Sequence, residues 1–191
     1  MTRPVEKDKK NKKRSQLEEG EEDQSPFIMI DLGDTAFNYF HPAISSDELT
    51  LYFSSNRPGG EGGYDLWKAT RSSIEESFGS VVNLGKLINT EGNEQFPTLR
   101  SDTRLYYSSD GLPGLGGMEF VNEEWSEPEN LMYPINSPSD EIGIIYNKVA
   151  AENIAAEESE FFSSNREGGT GGDDLYSFYR APLLFSLKGK V

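Results

Sequence analysis

No cysteine occurs in the 191 residues, which excludes disulfides, thiol nucleophiles and cysteine-held metals. His41 is the single histidine, and without a second His or a Cys it cannot complete the usual zinc site. No apolar run approaches the length that spans a bilayer. The basic start is not followed by the apolar core of a signal peptide, so an export signal, if the parent protein has one, is expected outside these residues. Basic side chains are in deficit, 18 against 33 acidic ones, for a formal net charge of −15. The deficit is uneven: Arg3, Lys7, Lys9, Lys10, Lys12, Lys13 and Arg14 against Glu6 and Asp8 give the first 14 residues a charge of +5, leaving about −20 on the rest. That balance argues against nucleic-acid binding by the folded part. Gly59-Gly60-Glu61-Gly62-Gly63 lacks the following Lys-Ser/Thr of a phosphate-cradling loop and does not lead into a helix.

What the chain does have is glycine, placed in a repeat. Residues 49–67 read as a strand, a tight turn with four glycines and a second strand. In the first of these strands Leu49, Leu51 and Phe53 share one face and Thr50, Tyr52 and Ser54 the other, so both faces carry bulk. Ser163-Ser164-Asn165-Arg166-Glu167-Gly168-Gly169 with Asp173-Asp174-Leu175-Tyr176 is a close copy. Ser108-Ser109-Asp110-Gly111, with Gly114, Gly116, Gly117 and Glu119, is a worn one. The first serines fall at 54, 108 and 163, giving offsets of 54 and 55 residues, a period that suits propeller blades of several strands.

A second signature lies between the copies. Asn83-Leu84-x-x-x-Ile88-Asn89 corresponds to Asn130-Leu131-x-x-x-Ile135-Asn136, and each is followed by an acidic residue (Glu94; Asp140-Glu141) and a new strand. The offset from Asn83 to Asn130 is 47, so about seven residues are missing, and the spacing places the gap after Gly117, in a clipped outer hairpin. Residues 1–26 are expected to be a disordered charged tail, and 27–40 a lead-in strand and loop. Ile44 is expected to begin the first short strand of the repeat, with His41 at a strand end before Pro42. Residues 150–158 read either as one or two turns of helix or as an acidic loop. Trp67 and Trp125 read as strand residues covering the sheets.

The candidate binding residues are those of the repeated turn: Asn56, Arg57 and Asp65, and Asn165, Arg166 and Asp174. Asp65 can accept backbone N–H groups from its own glycine turn, and Arg57 can supply a countercharge or close the loop onto its neighbour. The other reading is a Ca²⁺ site built from carboxylate and loop carbonyls, the oxygen donors a hard cation takes. No catalytic set stands out. A glycosidase or lyase needs two carboxylates across a cleft, and the repeated carboxylates here read as structural.

Residues 46–67, the paired Asn-Leu-x-x-x-Ile-Asn connectors and the 163–169 run together resemble the TolB-type, WD-repeat-like β-propeller repeat, over roughly residues 40–180. They are most like propellers of OmpA-family envelope proteins of Bacteroidetes-like bacteria. The resemblance implies an all-β fold: a partial propeller of about three four-stranded antiparallel blades (40–80, 81–127 and 128–180, the second worn), with 181–191 opening a following β-sandwich. It implies a non-catalytic scaffold for protein–protein interaction in the periplasm at the outer membrane, with no cofactor. Propellers of this type usually close with six blades, so an open arc of three would expose an apolar face at each end for missing chain to cover or for a second molecule to cover by self-association. A carbohydrate- or Ca²⁺-binding module is the alternative, and peptidoglycan binding cannot be assigned because the OmpA-type domain is absent.

Overall fold

The computed structural model describes residues 28–33, 35–111, 114–121, 124–146 and 158–180. The chain divides at Ile30/Asp31, and every strand falls in the second unit. No helix occurs among the described residues, so none is long and apolar enough to cross a membrane. The expected tail (1–26), most of the 150–158 segment and residues 181–191 lie outside the described residues.

Three antiparallel meanders follow one another along the chain. The first is β1 (Tyr39–Ile44), β2 (Thr50–Ser55), β3 (Asp65–Thr70) and β4 (Gly79–Asn83), hydrogen-bonded in that order. The second is β5 (Glu94–Ser101), β6 (Arg104–Ser109), β7 (Gly114–Val121) and the two-residue β8 (Glu124–Trp125), with β9 (Glu129–Asn130) also pairing β7. The third is β10 (Glu141–Tyr146), β11 (Glu158–Ser164) and β12 (Asp174–Arg180).

Two expectations change. The described residues from 28 to 38 hold no strand: the Gly33 N–H donates to Asp31 Oδ1 (3.0 Å) and Gly33 takes a φ of +110°, which bends the chain before it can pair. The first strand starts at Tyr39 rather than near Ile44, so His41 sits inside β1. It occupies a bulge that recurs in each first strand. His41 (φ +54°), Phe96 (+54°) and Gly143 (+67°) all take the left-handed conformation where the register of β1, β5 and β10 shifts. The His41 ring stacks on Phe96 with centroids 3.7 Å apart, and burial lowers its pKa from the usual 6.5.

The two-faced strand pattern is what builds the core. Tyr52 and Leu66 on one face of the first sheet pack with Leu105 and Tyr107 of the second. Leu51, Phe53, Trp67 and Ala69 on its other face pack with Leu32, Tyr39, Phe78 and Val81. Tyr106 on the far face of the second sheet packs with Ile144 and Phe162 of the third. Successive residues of β6 thus serve two different interfaces, as period-2 alternation requires. The first strands also adjoin, β5 lying against both β1 and β10.

Candidate functional site

The repeated residues converge where the second strand of each sheet meets the loop before its first strand. The last serine of that strand anchors an ordered turn: Ser55, Ser109 and Ser164 Oγ accept from the N–H groups of Arg57 (3.2 Å), Gly111 (3.1 Å) and Arg166 (3.2 Å). The next residue closes onto the residue just before the first strand. Asn56 Oδ1 accepts from Asn38 N–H (2.9 Å), and Asn165 Oδ1 from Asp140 N–H (2.9 Å). Asp110 accepts from both the backbone N–H (2.5 Å) and the side-chain amide (2.7 Å) of Asn93, and these bonds hold its carboxyl below the usual range. Asn56 and Asn165 are therefore latches inside each unit.

Asp65 and Asp174 open the third strands and fold the glycine turn around their carboxylates. Asp65 accepts from the N–H groups of Glu61 (2.6 Å) and Gly62 (3.1 Å) and from Asn83 Nδ2 (2.7 Å). Asp174 accepts from the N–H groups of Gly171 (3.1 Å) and Thr170 (2.7 Å), which lower its pKa, with the Thr170 hydroxyl adding to them. Side-chain-free backbone is required: a Cβ on Gly60 would lie 2.3 Å from Asp65 Oδ2, and one on Gly169 2.1 Å from Asp174 Oδ2.

The two arginines differ. Arg57 lies over the Trp67 ring at 5.1 Å and donates to the Leu32 carbonyl (3.2 Å). Arg166 donates to Glu141 Oε1 (2.9 Å) and to the carbonyls of Pro134 and Ile135, while lying over Phe162 and Tyr176. The register explains the contrast. Ser55, Ser109 and Ser164 face Tyr39, Glu94 and Glu141, so the first unit has tyrosine where the other two have glutamate.

Those glutamates are the site residues that the motif reading passed over. Glu94 is fully buried and accepts from Thr90 N–H (2.9 Å), Thr90 Oγ1 (2.7 Å) and Ser109 Oγ (2.7 Å). Glu141 repeats the set with Ser137 N–H (2.9 Å), Ser137 Oγ (2.6 Å) and Ser164 Oγ (2.9 Å). Burial pushes the Glu141 carboxyl up, but the Ser137, Ser164 and Arg166 bonds outweigh it and the net shift is downward. The signal was present as a hydroxyl residue four positions before the acid, Thr90 to Glu94 and Ser137 to Glu141.

The connectors are equally engaged. Asn89 Oδ1 accepts from Leu66 N–H (2.7 Å) while its Nδ2 donates to Leu66 O (3.0 Å) and to Asn83 Oδ1 (2.9 Å). Asn136 Nδ2 donates to Asn130 Oδ1 (2.7 Å) in the same way. The missing residues also move. From Ser55 to its partner Asp65 is ten positions, but from Ser109 to its partner Gly114 only five. The glycine turn therefore lost five of the seven residues, ahead of Gly117 rather than after it, and Gly114 stands where the carboxylate was. No group of three or more acidic or histidine side chains placed to hold a metal occurs among the described residues. No protein-family model matches the chain, and no curated protein matches it.

Proposed function

We propose that this chain is a run of β-propeller blades of the TolB type that acts as a non-catalytic scaffold for protein partners in the bacterial envelope, on the periplasmic side of the outer membrane. The observation that carries the reading is the stacking of three similarly built meanders, the first packed on the second and the second on the third, with their first strands side by side. The envelope setting rests on the resemblance of the repeat. The repeated polar residues favour a scaffold over an ion or glycan site, because the Asp65 and Asp174 oxygens already accept N–H donors of their own turns. The buried glutamates likewise serve the hydroxyls that join connector to strand.

Thermal unfolding with Ca²⁺, EDTA and envelope glycans tests it, since a ligand of the native state raises the midpoint by mass action. The expected result is no concentration-dependent rise with any of these, alongside saturable retention of one purified envelope protein. A saturable rise with Ca²⁺ or a glycan would replace the scaffold with a binding module. Turnover of a glycan would replace it with an enzyme.

A further inference from the structure

The bulge that recurs in the first strands carries three different side chains, and one of them titrates. His41, Phe96 and Gly143 hold it in β1, β5 and β10, all in the left-handed conformation, so the backbone itself asks for no imidazole. The three lie in a row across the sheets. The His41 ring stacks on Phe96 at 3.7 Å with Phe40 edge-on to it at 4.5 Å, and a Cβ built on Gly143 would lie 3.9 Å from Phe96 Cδ1. The stack closes the joint where β1 lies against β5.

His41 is a poor host for a second proton in that joint. Its Nδ1 is buried and has no hydrogen-bond partner among the described residues. A neutral ring leaves this nitrogen a bare acceptor, whereas protonation makes both ring nitrogens donors and sets an N–H where no oxygen receives it. The Phe96 face offers an imidazolium some cation–π attraction. The buried donor outweighs it, and burial lowers the pKa of the ring from 6.5. The strands packed against β1 are β2 and β5, and their titratable groups are engaged elsewhere. Glu94 accepts from Thr90 and Ser109, Arg100 lies over the Tyr146 ring, and Tyr52 packs in the core with Leu66. On β1 itself Tyr39 packs on Phe53, while Phe40 leans on Tyr64. Burial, with the Asp102 and Asp47 carboxylates behind it, raises the Tyr52 hydroxyl, but at His41 burial alone sets the shift.

We propose that His41 is a pH-sensitive clasp between the first and second sheets: the neutral imidazole stacks on Phe96 and holds the joint shut, and the imidazolium withdraws toward water and loosens it. A base whose pKa is lower in the closed joint than in water holds fully above 6.5 and lets go as the pH falls through the lowered value. His41 is the single histidine, so no other side chain has its ordinary pKa in this range. The clasp reaches the bonds that cross the joint through Phe40 and Tyr64. Gly63 N–H donates to Gly92 O (2.8 Å), Tyr64 N–H to Asn93 Oδ1 (3.0 Å) and Glu94 N–H to Tyr64 O (2.6 Å).

The test uses the full chain between about pH 8 and about pH 5, above the 4.5 below which Glu141 titrates. The His41 ring protons, followed by NMR, are expected to titrate below 6.5. Protection of the Gly63, Tyr64 and Glu94 amides against exchange, corrected for the intrinsic effect of pH, is expected to fall over the same range, while amides of β11 and β12 keep theirs. His41→Phe and His41→Gly place in β1 the side chains that β5 and β10 carry at the same bulge. In both variants, each read against its own value at about pH 8, protection of the three amides is expected to stay flat. Titration of His41 at or above 6.5, or the same loss of protection in the variants, overturns the proposal. Equal loss in β11 also overturns it, since the effect would then belong to the whole fold and not to the joint. If His41→Phe does not fold, the ring titration and His41→Gly decide.

Discussion

At the scale of single residues, the buried glutamates do most to hold one unit's connector to its strands. Glu141 binds the Ser137 loop, the Ser164 strand end and Arg166 through one carboxylate. Glu141→Ala strands that guanidinium, which is 19% exposed, and two hydroxyls, and should cost about 2–4 kcal/mol in urea unfolding. Glu141→Gln keeps the shape and should cost less. The pKa of Glu141 is lowered in the folded state, so its contribution is complete above the ordinary 4.5 and is lost as pH falls through the lowered value. Urea midpoints taken from pH 7 down to pH 3 should therefore fall below 4.5, and less steeply in Glu141→Gln. The acid's place before a strand was legible in the sequence. Its burial was not, because a carboxylate is fully buried only when paired, and its partner Ser164 is 23 residues away.

At the scale of elements, the glycine turn is a carboxylate wrapped in its own backbone. Asp65 is 1% exposed, so Asp65→Ala leaves the Glu61 and Gly62 N–H groups and the Asn83 amide without their acceptor and should cost about 1–3 kcal/mol. Gly63→Ala and Gly172→Ala make a sharper comparison. The first drives a methyl into Asn93 and should lower the unfolding midpoint, whereas the second meets open space and should not. The strands and turns were readable from alternation and glycine density because both are local. The lost residues were misplaced because glycines continue past the turn: Gly114, Gly116 and Gly117 lie in β7, where they read as turn residues until the pairing with β6 is known.

At the scale of the whole second unit, stability depends on sheet-to-sheet contact rather than on any one sheet. Leu66→Ala opens a cavity between the first two sheets and should cost about 2–5 kcal/mol by chemical denaturation. Leu175→Ala, at the same place in the third sheet, should stay within about 0.5 kcal/mol. Equal losses for the two would contradict the packing of the first sheet on the second.

Leu66 and Leu175 mark the division between what was written in the chain and what folding added. The sequence specified three copies of a hairpin, the alternation that gives each strand two apolar faces, and the asparagine connectors between copies, since each follows from neighbouring residues and their backbone preferences. Both leucines sit in Asp-Leu-aromatic, after the same glycine turn and opposite the same serine. One is sealed and the other bare because burial belongs to the neighbour that arrives, and only the packing of one sheet on the next decided where a neighbour stands.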